Sequence, residues 1–266
     1  MNTIRELWNN RKMIWKLSRN DFKTKYAGSY FGILWAFVQP IVTTLIYVII
    51  FQAGVKVQPT AAGYPYALVL ISGIIPWFFF SEALLNSTNC FMEYSYLVKK
   101  VVFKISILPV VKVISSLFVH LFFVVLVFVI FLLFGKVPPI QFIQIFYYMF
   151  CTICFTLALA FLTSSIVPFF RDFGQIVSIG LQVWMWICPI MWDMNSFLGK
   201  HHRLMMLLKL NPFNYIVQGY RDCYMNGVWS WEHWKYTPYF WAVTLFLGWF
   251  GFRTFKKLRI HFSDVL

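Results

Sequence analysis

A chain of 266 residues that is 60% hydrophobic, 21% aromatic and only 12% charged cannot hide its apolar surface inside one water-surrounded core, so a soluble enzyme or binding domain is excluded. Its solvent is lipid for much of its length. The net charge of +14 is accompanied by no basic and aromatic nucleic-acid module, so it reads as membrane topology and attraction to anionic headgroups, with no nucleic acid as partner.

Residues 1–26 carry Ile4, Leu7, Trp8, Ile14, Trp15 and Phe22 at helical spacing, with Arg11, Lys12, Lys16, Arg19 and Lys23 mostly on the other faces. This predicts an amphipathic helix lying on the cytoplasmic leaflet, broken near Asn9 and Asn10, with the indoles of Trp8 and Trp15 at the headgroup boundary. No charge then occurs between Lys25 and Lys56. About 20 apolar residues cross a bilayer core, which places a first span at 30–52. That run starts too late and is too long for a cleaved signal peptide. Similar runs predict spans at 65–88, 109–134, 140–168, 173–193 and 234–255, with short turn-rich separators such as "GKVPP". Runs such as "LFFVVLVFVIFLLF" lack the period-2 alternation of a barrel strand. The expected fold is a single all-α membrane domain over 1–266 with six transmembrane helices. With the N-terminus inside, sixteen of the 23 lysines and arginines fall in cytoplasmic segments, so both termini are expected in the cytoplasm.

Between the second and third spans, 89–107 is too charged to cross and too apolar to stay in water. It predicts a short surface helix presenting Tyr94, Tyr96, Leu97 and Val98 to something, with Lys99 and Lys100 alongside. After the fifth span, 196–227 contains two apolar pieces, Leu204 to Leu210 and Phe213 to Tyr220, hinged at Asn211-Pro212. An asparagine cap followed by proline at the first helical position predicts two short helices meeting at a break, able to dip into the outer leaflet and return as re-entrant exterior elements.

Among ionisable residues in or beside the spans, Lys112 is expected to snorkel to the headgroups and His120 to serve as a helix-packing hydrogen-bond partner. Glu82 is the stronger functional candidate, because an intramembrane carboxylate needs a partner or a wet cavity. Cys151 and Cys154 form a CxxC inside an apolar run and read as buried thiols; no disulfide and no metal site is expected. Gln39 and Gln182, one in each of two spans, are candidates for a wet lumen or a subunit seam. Trp35, Phe37, Trp184, Trp186, Trp192 and Tyr215 offer ring faces on which sugars could stack. Gly28 and Gly32 form a small-xxx-small pair at the opening of the first span. No GxxxxGK[ST] loop occurs, so any nucleotide-driven work must be done by another polypeptide.

The stretch "LSRNDFKTKYAGSYFGILWAFVQPI" resembles the opening of ABC permeases that export polysaccharides, and the later order agrees: "LVKKVVFKISILP", "FFRDFGQIV" and "LNPFNYIVQGYRDCYMNG". The resemblance covers nearly the whole chain. It implies a membrane subunit of the cytoplasmic (inner) membrane that exports lipid-linked O-antigen, capsule or teichoic acid. The implied assembly is a homodimer of this chain with two copies of an ATP-binding cassette subunit that bind the ATP and magnesium; the chain itself needs no cofactor. Asp21, Lys23, Tyr26, Gly32 and Trp35 would then belong to the substrate entrance, with Gln39, Gln182 and Trp184 along the channel. The segment with Tyr94, Tyr96, Leu97, Lys99 and Lys100 would be the coupling helix, and Arg171 and Asp172 a second cytoplasmic contact. Asn211, Pro212, Tyr215, Tyr220, Arg221 and Asp222 would belong to an exterior gate. In "VVFKISILP" a proline nearer the phenylalanine is expected from the resemblance. Two other readings stay open: an ABC permease for a drug or small lipid, which shares six spans and the missing P-loop, and a membrane-embedded lipid-linked glycan transferase, which lacks any visible catalytic carboxylate pair.

Overall fold

The computed structural model describes residues 7–54, 63–98, 104–192 and 208–265, and all regular structure among them is helical. Helix α1 (Arg11–Lys25) begins after a turn at Asn10, where the sequence predicted the break. Helix α2 (Trp35–Ile49) is entered through a tight turn at Gly32–Leu34 and leaves through a wide π-turn at Ile50–Gly54. Then come α3 (Tyr66–Thr88), two short helical turns at Cys90–Glu93 and Ser95–Val98, and α4 (Leu108–Leu133), α5 (Ile145–Ile166) and α6 (Phe173–Ile187). The chain continues with α7 (Pro212–Arg221) and α8 (Tyr236–Leu258).

Four of the stretches are both long and apolar enough to cross a bilayer: Gly32–Gln52, Tyr66–Thr88, Ile105–Leu133 and Ile140–Ile166. Helix α6, predicted to run over 173–193, has 15 residues and is a shorter apolar helix. At about 1.5 Å per residue it falls short of a bilayer core on its own. Helix α8 has 23 residues, and Lys256 and Lys257 make its last turn basic.

Helices α2 to α6 alternate in direction, α7 continues in the direction of α6 along α3, and α8 returns, which sorts the connections into two ends. One end holds α1, the turns after α3 and the C-terminus: Tyr94 reaches Asp21, and Phe91 packs on Phe262. The other end holds the 134–144 connection, α7 and the 222–235 loop: the Gln144 amide donates to the Val228 carbonyl, and Tyr66 Oη donates to the Met191 carbonyl.

Helix α3 lies at the centre, packed against α2, α4, α5, α6 and α7. Trp77 and Phe80 from α3, Phe155 from α5, Trp184 from α6 and Phe213 from α7 form one ring cluster in the resulting core. Its edge-to-face and tilted contacts are the arrangement that ring quadrupoles favour. Helix α8 runs along α5 at close range, because a Cβ at Gly251 would come within 2.8 Å of the Ala158 carbonyl oxygen. Small residues let helix backbones approach in this way when lipid offers no hydrophobic driving force between helices. Some hydroxyls inside the spans are absorbed by their own helix, as Thr152 and Thr156 donate to the carbonyls four residues earlier, while Thr88 bonds Thr163 across helices at 2.8 Å. His120 sits 2.7 Å from the Tyr220 hydroxyl, in the helix-packing role expected of it.

Helix α2 stands apart from this core. Only 6% of its most apolar window is buried, and Val38, Leu45, Ile46 and Ile49 face outward.

Candidate functional site

At the α1 end, three segments far apart in sequence meet on one ammonium group. Lys112, in the second turn of α4, places Nζ 2.7 Å from Asp21 Oδ1 of α1 and 2.5 Å from Glu93 Oε2 of the turn after α3. Tyr94 donates its hydroxyl to the same Asp21 oxygen at 2.6 Å, and its ring lies beneath Nζ at 5.0 Å. Burial, then the hydrogen bond to Asp21, push the Tyr94 phenol up, which keeps it a donor. The Lys112 and Asp21 side chains are only 9% and 7% exposed, whereas Glu93 is 49% exposed. The arrangement therefore contains one dry ion pair with a wet carboxylate at its rim.

Helix α1 is positioned for this by a narrow strip of residues. Ile14, Ser18 and Asp21, spaced four and three apart, form its buried face against α4, where Ile14 meets Ile107 and Val111. Ser18 returns its hydroxyl to the Ile14 carbonyl, which leaves no polar group orphaned in the strip. The tryptophans lie off this strip, Trp8 70% and Trp15 58% exposed, with Trp15 and Phe118 in a T-shaped contact. A second ion pair, Lys25 to Glu82, ties the end of α1 to α3, so Glu82 has the partner it needed. Burial opposes the Lys25 charge, but the Glu82 carboxylate outweighs it and holds the amine above its ordinary range. Both groups are about one-third exposed, so this pair contributes little to stability.

Lys112 was expected to snorkel and does not. A lysine stem can reach headgroups only if its head finds nothing nearer, and here two carboxylates meet it inside the protein. Leu97, expected to face outward with Tyr96, is instead packed with Tyr94 against Cys90, Phe91, Leu108, Phe161 and Phe255. Adjacent residues of one helical turn cannot share a face, and Tyr96 is the one left outside, 59% exposed. Lys99 and Lys100 lie outside the described residues. Lys23 is exposed, Tyr26 lies beneath Lys25 at 5.5 Å, and Arg171 and Asp172 are exposed at the start of α6. Trp35 is exposed at the base of α2 in a T-shaped contact with Phe31. Gln39 and Gln182 are both exposed, on α2 and α6. Trp184 instead joins the core ring cluster and donates its indole N–H to Asn211 Oδ1 at 3.0 Å.

At the opposite end α7 is held by polar contacts. Asn211 is its cap, accepting from the Phe213 amide at 3.0 Å with Pro212 in the first turn, as the local pattern predicted. Of the first apolar piece, residues 204–207 lie outside the described residues, and Leu208 to Leu210 lead into the Asn211 cap. Tyr215 shares hydroxyl bonds with Tyr147 and Thr237, and Arg221 donates to the Ile190 carbonyl at 2.8 Å. Asp222 is buried and accepts from Gln218, Asn226 and His233, which folds the loop back onto α7. The hydrogen bond to Asp222 outweighs burial and raises the His233 pKa. Gly219 has no substitute: a Cβ there would lie 2.0 Å from the buried Tyr148 ring.

A bundle of apolar helices with a surface helix locked onto it by a buried ion pair, and a capped polar helix at the far end, defines a helical membrane protein. The chain belongs to the ABC-2 type transporter family, whose pattern matches residues 13–225. It is thus a membrane-spanning permease, the membrane subunit of a transport system. It is similar to two O-antigen export system permease proteins RfbA of Klebsiella pneumoniae, each 27% identical over 252 residues, 94% of this chain and 93% of the relative. The RfbA permease of Myxococcus xanthus is 27% identical over 218 residues, 82% of each chain.

Proposed function

We propose that this chain is the membrane subunit of an ATP-driven exporter that moves a lipid-linked cell-surface polysaccharide of the O-antigen class across the cytoplasmic membrane. The observation that carries the reading is the near end-to-end similarity to permeases named for O-antigen export. The chain would work as a homodimer with two ATP-binding cassette subunits, its six helices spanning and both termini in the cytoplasm. The outward apolar faces of α2 and α6, with Gln39 exposed on the first and Gln175 and Gln182 on the second, favour a second copy there with Gln39 and Gln182 beside the substrate path.

In this reading the ion-pair cluster is the transmission. The ATPase would press on the turn bearing Tyr96. Glu93 and Tyr94, which lead into that turn, hold Lys112 and Asp21, so movement there would be passed directly to α1 at the substrate entrance. Deleting the gene tests the function. Surface polysaccharide should disappear while its lipid-linked form accumulates on the cytoplasmic side, and a plasmid copy should reverse both. Normal surface polymer with a changed drug or small-lipid profile would reject the substrate class.

A further inference from the structure

Helix α8 has two faces that differ in kind. Phe240, Thr244, Gly251 and Phe255, spaced four, seven and four apart, are its buried face, and α5 packs along it. The opposite face carries Leu245, Phe246, Trp249 and Phe250, all exposed. Arg253, Lys256 and Lys257 follow, exposed as well. At 3.6 residues per turn these seven positions fall in one stripe about 140° wide. The stripe is graded along the helix axis. Arg253 lies about 6 Å beyond Trp249, comparable to the depth of a headgroup layer, roughly 5–7 Å. Its guanidinium folds back over the Trp249 ring at 5.4 Å, which holds the charge at the edge of the apolar part. The two lysines do not sit on a loose tail. Just beyond them Phe262 is fully buried, its ring 4.9 Å from Phe91 and 6.2 Å from Phe255, which pins the base of α8 to the bundle.

Rings and cations thus share one stripe within about two turns, and the ligand that satisfies both is an amphiphile, with acyl chains along the rings and a negative phosphate among the cations. A nucleic acid or an acidic peptide would cover the cations and leave the rings bare. We infer that the outward face at the base of α8 is a binding site for an anionic phospholipid such as phosphatidylglycerol. Its phosphate lies between Arg253 and Lys257, one turn apart on the stripe, and its chains lie along Phe246, Trp249 and Phe250. The site rests on α8 spanning the membrane, which is part of the export reading, and not on the exported substrate. Behind it Phe255 and Phe262 belong to the same apolar cluster as Leu97, so an occupied site braces the packing that holds the turn bearing Tyr96.

The test is native mass spectrometry of the full chain in neutral detergent, titrated with phosphatidylglycerol or with phosphatidylcholine and read as the Kd of the first bound lipid. The natural chain should bind phosphatidylglycerol about tenfold or more tighter than phosphatidylcholine, since each cation beside an anionic headgroup is worth about fivefold. Arg253→Gln with Lys257→Gln should remove most of that preference, and Arg253→Lys with Lys257→Arg should keep it. Both side chains are exposed, so these changes leave the core untouched. Lys12→Gln with Lys16→Gln, exposed on α1, makes the same change in net charge elsewhere and should leave the preference in place. No preference in the natural chain, or one that the α1 pair abolishes as fully as the α8 pair, overturns the site. Whether α8 lies in lipid is read separately: brominated phosphatidylcholine in vesicles should quench the emission that distinguishes the natural chain from Trp249→Phe. Absence of that quenching overturns the site and the span together. Quenching without the lipid preference overturns the site alone and leaves the export reading standing.

Discussion

Replacing Lys112 with methionine removes the ammonium and keeps the length of the side chain. Asp21 would then be a carboxylate only 7% exposed that keeps the hydrogen bond from the Tyr94 hydroxyl, while Glu93 at 49% exposure would turn to water at little cost. Breaking a buried pair from one side costs roughly 3–5 kcal/mol, so α1 docking should weaken by about 3 kcal/mol, or about 100-fold in the undocked population. Helix α1 offers Arg11, Lys12, Lys16, Arg19 and Lys23 to trypsin. In inside-out vesicles its cleavage should therefore speed up by about 100-fold in Lys112→Met when opening and closing outpace cleavage. Adding Asp21→Asn removes the stranded charge and should recover most of that loss, giving a coupling energy of at least about 1 kcal/mol. Equal cleavage of natural and Lys112→Met chains, or strict additivity of the two changes, would refute the dry-pair reasoning.

Leu97→Asp should destabilise the chain itself in detergent melting, since Leu97 packs in the cluster around Phe91 and Phe255, whereas Tyr96→Asp should leave melting unchanged and abolish co-purification of the ATPase. Gly219→Ala should prevent accumulation of folded chain, measured by size-exclusion chromatography, and Tyr148→Leu in the same chain should partly restore it. The raised pKa of His233 gives a sign: its pairing with Asp222 stabilises fully below the unfolded value near ~6.5 and is lost as pH rises through the folded value. Melting temperature should therefore decline as pH rises from the unfolded value through the folded one, and His233→Gln should flatten that decline.

Charge-free runs made the long helices legible, because a lipid solvent leaves the backbone no alternative to internal hydrogen bonds. The Asn211-Pro212 start of α7 was legible too, since a cap is decided by neighbours in sequence. The ion-pair cluster was not. Asp21 lies 91 residues from Lys112, and nothing local distinguishes a lysine that snorkels from one met by two carboxylates. The same holds for the face by which α1 packs, the strip with Ser18 and Asp21, polar residues that are tolerated only because partners await them. Trp184 read as a channel residue by composition, and its indole was claimed by Asn211.

The account stands most directly on reconstitution of the chain with its ATPase in proteoliposomes carrying a lipid-linked polysaccharide on one face. It predicts ATP-dependent transfer of that polymer to the other face, none with the chain alone, and a severe loss with Lys112→Met. Transfer without ATP or partner, or ATP-driven movement of a drug with the polymer left in place, would contradict it.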